Sequence, residues 1–210
     1  MRRIALYGGT FDPFHLGHLA VARAVRDSGC VDEVRIVPVG TPPHRQSTIA
    51  SADERWCMAV LATLDEPGLK VERWETELAR QGPTYAVDTL FSAREALGGG
   101  ATLSWVIGMD ALATLGSWHR IDDILQLANF LVLPRHGGDE STMRQLLHST
   151  MPTHPVERFS FVPMPPVEIS SSAVRRVLEQ GGDPRPMLPP MVATFLLRYD
   201  PYRALRTLVS

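Results

Sequence analysis

A single lysine, Lys70, stands against twenty arginines in this 210-residue chain. That scarcity removes mechanisms. A P-loop needs a lysine directly after its second glycine to reach the β- and γ-phosphates, whereas Lys70 follows Leu69 in an apolar, strand-like segment. A Schiff-base enzyme would have to use the same residue, and nothing around it argues for that. Cysteine is almost as rare: Cys30 and Cys57 are too few and too isolated for a disulfide framework or a four-ligand zinc knuckle, which fits a reducing compartment.

No apolar run approaches membrane-spanning length, and the start MRRIALYGG has no signal-peptide core. A cytoplasmic protein without a membrane partner is the expectation. Net charge is only −2, from 21 basic and 23 acidic residues, so no broad basic field argues for nucleic acid. With 44% hydrophobic residues the chain can bury a sizeable core, and one domain over residues 1–210 is expected. Its oligomeric state is left open, a homo-oligomer included.

What is present is alternation. Apolar runs at residues 3–7, 34–39, 69–74, 103–107, 130–133 and 159–162 read as strands. Between them, helical spacing appears at 17–27, at 56–64 behind the capping-box pair Ser51 and Glu54, at 84–97 before a GGG stop, and around 110–127. A last helix begins near SSSAVRRVLEQGG. The pattern predicts an α/β, Rossmann-like, doubly wound domain with a mainly parallel sheet of five or six strands and a C-terminal helical segment. Ligands should collect at the carboxyl ends of its strands.

The first strand runs into GGTFDPFHLGH, residues 8–18. Glycines at a strand end let backbone N–H groups approach an anion closely. The spacing is not that of the G-x-G-x-x-G dinucleotide turn. His15 and His18, three apart at a helix start, can lie on one face. Three roles compete for them: a metal pair lacking its third ligand, structural capping of the turn, or imidazolium N–H donors that face a polyphosphate together with the helix N-terminus.

GGTFDPFHLGH resembles the N-terminal signature of the HxGH nucleotidyltransferase superfamily, with His15, Leu16, Gly17 and His18 as its core. ISSSAVRR, residues 169–176, taken alone is a helix capped by Ser170 or Ser171 with Arg175 one turn inside. Beside the first motif it resembles the superfamily's second signature, I-S-S-T-x-x-R, with Ser172 in place of threonine. Further segments carry chemistry or simple packing. His44 and Arg45 in TPPHR suit a phosphomonoester or an exposed loop. Thr84 and Tyr85 open a helix whose N–H groups could hold a carboxylate. Asp110 could accept ribose hydroxyls, and Trp118 could stack on a flat ring or be core.

Together these segments resemble the nicotinate-nucleotide adenylyltransferase branch of that superfamily across nearly the whole chain. The resemblance implies adenylyl transfer from ATP to nicotinate mononucleotide in NAD biosynthesis, with Mg2+ accompanying ATP. It implies catalytic roles for His15, His18 and Arg175. It further implies an ATP site of Gly8, Gly9, Thr10, Phe11, His15, His18, Gly108, Asp110, Arg135, Ile169, Ser170, Ser171 and Arg175. The acceptor site it implies is Gly9, Thr10, His44, Arg45, Thr84, Tyr85, Asp110, Trp118 and His119, with no protein metal site. Many relatives carry threonine or serine where Ala86 follows Tyr85, so a carboxylate bound here would rely on backbone. The rival readings are a relative using nicotinamide mononucleotide or phosphopantetheine, and a non-catalytic adenine-nucleotide sensor.

Overall fold

The structure is a computed structural model and describes residues 1–42, 48–78, 82–134 and 138–206. Among these, runs rich in β-branched and aromatic residues become strands β1 (Arg2–Gly9), β2 (Glu33–Pro38), β3 (Leu69–Val71), β4 (Ala101–Gly108), β5 (Ala128–Leu133) and β6 (Phe159–Phe161). They form a parallel six-stranded sheet in the order β3-β2-β1-β4-β5-β6, the order of doubly wound nucleotide folds. Ile4, Ala5 and Leu6 of β1 and Trp105, Val106 and Ile107 of β4 are all buried. Strands covered on both faces read as continuous apolar runs, which is why the sequence betrays them.

The helices are α1 (Leu16–Asp27), α2 (Ala52–Thr63), α3 (Trp74–Leu78), α4 (Ala86–Leu97), α5 (Met109–Leu115), α6 (Ile121–Leu127), α7 (Glu140–Thr150), α8 (Ser171–Glu179), α9 (Pro190–Tyr199) and α10 (Arg203–Arg206). None is long and apolar enough to cross a membrane among the described residues. The capping box of α2 forms as expected: Glu54 N–H donates to Ser51 Oγ at 3.3 Å, and Ser51 N–H donates to Glu54 Oε2 at 2.8 Å. Such a cap contributes about 1 kcal/mol. Gly98, at φ 71°, ends α4 with its N–H on Arg94 O, so the GGG stop acts as read.

The chain divides into two compact units. One comprises Met1–Gly8, Val21–Arg35 and Tyr85–Pro166. There, Leu6 pairs with Trp105 and Phe130 with Phe159, whose rings stack 5.0 Å apart. The other comprises Gly9–Ala20, Ile36–Thr84 and Val167–Ser210. It holds the turn after β1, α2, α3 and the C-terminal helices.

Three of the expected boundaries differ for reasons visible in the backbone. The strand expected at 69–74 stops at Val71, and Trp74 opens α3. Glu72 N–H, bonded to Ile36 O at 2.9 Å, makes the last ladder contact; the β-propensity of tryptophan misleads there. The helix expected from Thr84 begins at Ala86, with Tyr85 as an extended N-cap residue. The helical stretch at 110–127 is two helices, broken after Leu115 and restarted behind Arg120, which adopts a left-handed φ of 56°.

Candidate functional site

The turn after β1 is built from rings and backbone. A Cβ on Gly9 would lie 2.6 Å from Phe11 Cε1, so the Phe11 ring packed against the backbone leaves no room for a side chain there. Gly8 is likewise covered by Trp105, whose Cζ2 would meet a Cβ at 2.9 Å. Phe11 itself sits at φ 52°, a costly conformation for a bulky residue. His15 directly precedes α1 and occupies its N-cap position; Leu19 N–H bonds to its carbonyl at 3.2 Å.

The two histidines cap one another. His18 N–H donates to His15 Nδ1 at 3.3 Å, and His15 N–H donates to His18 Nδ1 at 3.2 Å. This is the reciprocal pattern of a capping box, with imidazoles in place of serine and glutamate. The rings stack 3.6 Å apart at 19°, and Phe11 meets His18 edge-on at 4.9 Å. An Nδ1 that accepts a backbone N–H leaves the ring proton on Nε2. Capping does not use up the imidazoles' donor: Nδ1 serves the helix, and the ring proton sits on Nε2. Among the described residues no group of three histidine, cysteine, aspartate or glutamate side chains could hold a metal ion.

His15 departs from the expected imidazolium. Burial pushes its pKa below the ordinary value of 6.5 to about 4, so at neutral pH its ring is neutral. Below pH 6.5 an unfolded chain takes up a proton at His15 that the folded chain refuses until about pH 4. Stability should thus decline as pH falls through that window, by about 3 kcal/mol in all, and be unaffected by this group above it. Thermal melts of the unsubstituted chain and of His15→Gln between pH 7 and pH 4 check this: the extra decline should vanish in the variant.

The second signature clasps the first. Ser170 caps α8, its Oγ accepting Ala173 N–H at 3.1 Å. Ser171 Oγ donates to Pro13 O at 3.1 Å, and Arg175 Nη1 donates to Asp12 O at 2.5 Å. Arg175 Nη2 reaches Ser172 Oγ at 3.3 Å, so the hydroxyl of Ser172 helps hold the arginine. A Cβ on Gly17 would stand 3.0 Å from the His15 ring and 3.2 Å from Ile169 O. The absent side chain of Gly17 is what lets Ile169 approach the histidines.

Sequence reasoning missed what holds this turn from behind. Arg55 of α2 is completely buried at 0% exposure. Its Nη1 donates to Thr10 O at 2.8 Å and Val39 O at 2.6 Å, its Nη2 to Gly40 O at 2.9 Å, and its Nε to Ala50 O at 3.3 Å. Burial lowers its pKa, opposed by the charge of Asp12. The Asp12 carboxylate, also buried, accepts Ile49 N–H at 3.0 Å, Ala50 N–H at 3.1 Å and the Tyr202 hydroxyl at 2.7 Å. Thr84 is committed too. Its N–H donates to Thr41 O at 3.2 Å and its hydroxyl to buried Glu75 at 2.6 Å. Its polar groups fasten that turn instead of standing open to a carboxylate.

In the other unit, Tyr85 and His119 are brought together, their rings 4.6 Å apart. Trp118 is half-buried in the turn between α5 and α6, its N–H bonded to Leu115 O at 3.0 Å. Ala86 opens α4, so its N–H lies in the first helical turn, where no intrahelical acceptor exists. Gly108 is the N-cap residue of α5, and the Asp110 carboxylate folds back over it where a Cβ would be. The expectations for His44, Arg45 and Arg135 lie outside the described residues.

Comparison with known proteins matches this arrangement. Residues 6–177, which span both signatures, match the cytidylyltransferase-like family. A nicotinate-nucleotide adenylyltransferase of Laribacter hongkongensis is 39% identical over 96% of this chain and 94% of its own. One of Stenotrophomonas maltophilia is 40% identical over 94% of this chain and 96% of its own. The fold is shared with Plasmodium falciparum nicotinic acid mononucleotide adenylyltransferase complexed with NaAD, at TM-score 0.77 and 19% identity over 96% of this chain and 98% of that one. With its histidine turn and serine-arginine helix intact, the chain belongs to the cytidylyltransferase-like family and, within it, to the nicotinate-nucleotide adenylyltransferases.

Proposed function

We propose that this chain transfers the adenylyl group of ATP to nicotinate mononucleotide, releasing pyrophosphate and forming nicotinate adenine dinucleotide in NAD biosynthesis. The observation that carries this reading is the clasp itself. Two stacked imidazoles carry their ring protons on Nε2, and a guanidinium is tethered to the same turn through Asp12 O. Donors so fixed suit a phosphoryl group that gains charge as it reacts. The relatives' shared name supplies the acceptor.

One mononucleotide phosphate oxygen attacks the α-phosphorus in line as the bond to the β-phosphate bridging oxygen breaks. The acceptor phosphate is already ionised near neutral pH, so no strong base is needed. His15, His18 and Arg175 would stabilise charge on the α- and β-phosphates, while Gly8, Gly9, Thr10 and Phe11 shape the turn that receives them. On the acceptor side, Trp118, Tyr85 and His119 would meet the nicotinate ring, with the first-turn amides of α4 taking its carboxylate. Asp110 would take ribose hydroxyls, and His44 and Arg45 the acceptor phosphate.

Mg2+ fits as a partner held by the nucleotide. The clasp consists of N–H donors, and the Asp12 carboxylate is already bonded to Ile49, Ala50 and Tyr202. Bound with ATP, the ion would supply charge neutralisation at the phosphates. Pyrophosphate release from ATP plus nicotinate mononucleotide tests the reading. Release is expected, and its absence with every acceptor would favour a nucleotide sensor.

A further inference from the structure

Tyr202 lies well beyond the second signature in sequence, in the turn between α9 and α10. Asp200 closes α9 in a left-handed conformation, φ 45°, with its N–H on Leu196 O at 3.0 Å. Pro201 follows, and the reversal of the chain buries the Tyr202 side chain to 2% exposure. Its hydroxyl reaches Asp12 Oδ1 at 2.7 Å across 190 positions. Burial raises the phenol's pKa well above its ordinary value, and Asp12 raises it further, so the O–H stays a donor. The same Asp12 offers its main-chain carbonyl to Arg175 Nη1 at 2.5 Å. One residue thus receives the tyrosine on its side chain and the arginine on its backbone.

We propose that Tyr202 is a positioning residue for nucleotidyl transfer: it holds Asp12 so that the Asp12 carbonyl aims the Arg175 guanidinium at the reacting phosphates. The inference rests on the adenylyl-transfer reading. Asp12 also anchors Ile49 and Ala50, so those two amides and the tyrosine O–H fix its orientation together. Removing the O–H releases one of the three. Small displacements of an aimed donor cost rate more than they cost binding.

The test is Tyr202→Phe, which keeps the ring and deletes only the donor. Turnover should fall about tenfold, the rate equivalent of one buried hydrogen bond, with KM for both substrates changed less than about threefold. The loss should nearly disappear in an Arg175→Ala background, because the tyrosine acts through that arginine. Tenfold losses that multiply across the double variant would overturn the inference. So would unchanged turnover in Tyr202→Phe, or a variant that unfolds below the assay temperature, since global stability would then account for the residue. A lack of turnover in the unsubstituted chain would instead overturn the adenylyl-transfer reading, and this inference with it.

Discussion

His18→Ala is expected to lower turnover by about two to three orders of magnitude, the range for losing one aimed donor, with a smaller change in acceptor affinity. Two effects combine in this substitution. The Nε2–H donor disappears, and the His15 N–H loses its acceptor, since His18 Nδ1 takes it at 3.2 Å. His15 also loses the ring stacked on it at 3.6 Å. His18→Asn separates the two effects. Its side-chain oxygen can restore the cap but cannot extend a donor as far as an imidazole Nε2. Steady-state kinetics should find His18→Asn nearly as slow as alanine, with a melting temperature closer to that of the unsubstituted chain. Near-normal turnover in either variant contradicts the role.

Arg55→Ala should carry the largest stability loss. It strands the carbonyls of Thr10, Val39, Gly40 and Ala50, all bonded to one guanidinium, and opens a cavity where exposure is now 0%. Breaking a buried charged network of this kind costs about 3–5 kcal/mol, which for a chain of this size lowers Tm by about 10 °C. Arg55→Met keeps most of the volume and should recover only part of the loss, because the carbonyls still lack donors. Calorimetric Tm values for the two variants check this. A fall of less than about 3 °C for alanine would mean that the network is not what holds the turn.

The residues that could be read directly from the chain are those whose roles are local. A capping box, a glycine stop, the glycine turn at the end of β1 and the serine cap of α8 each lie within a few positions, and each forms where the pattern puts it. The capping of α1 by His15 and His18 is local as well. It is legible as one of several roles, and because an imidazole has two nitrogens the capping bonds on Nδ1 are compatible with the proposed donor role. Arg55 carries no such mark. In ADERWC it is one charged residue on a helix, and its burial depends on carbonyls delivered from residues 10, 39, 40 and 50. Tyr202 depends on a partner 190 positions away. The break between α5 and α6 rests on a left-handed Arg120, a conformation that arginine does not advertise.

Acceptor identity tests the central claim most directly. Pyrophosphate release should be measured for the unsubstituted chain with ATP, Mg2+ and, in turn, nicotinate mononucleotide, nicotinamide mononucleotide and phosphopantetheine, and reported as kcat/KM. Nicotinate mononucleotide is predicted to stand at least about tenfold above the others, since on the proposed reading its carboxylate is the group that the first-turn amides of α4 would take. A higher kcat/KM with either of the other acceptors, or no release with any, would contradict it.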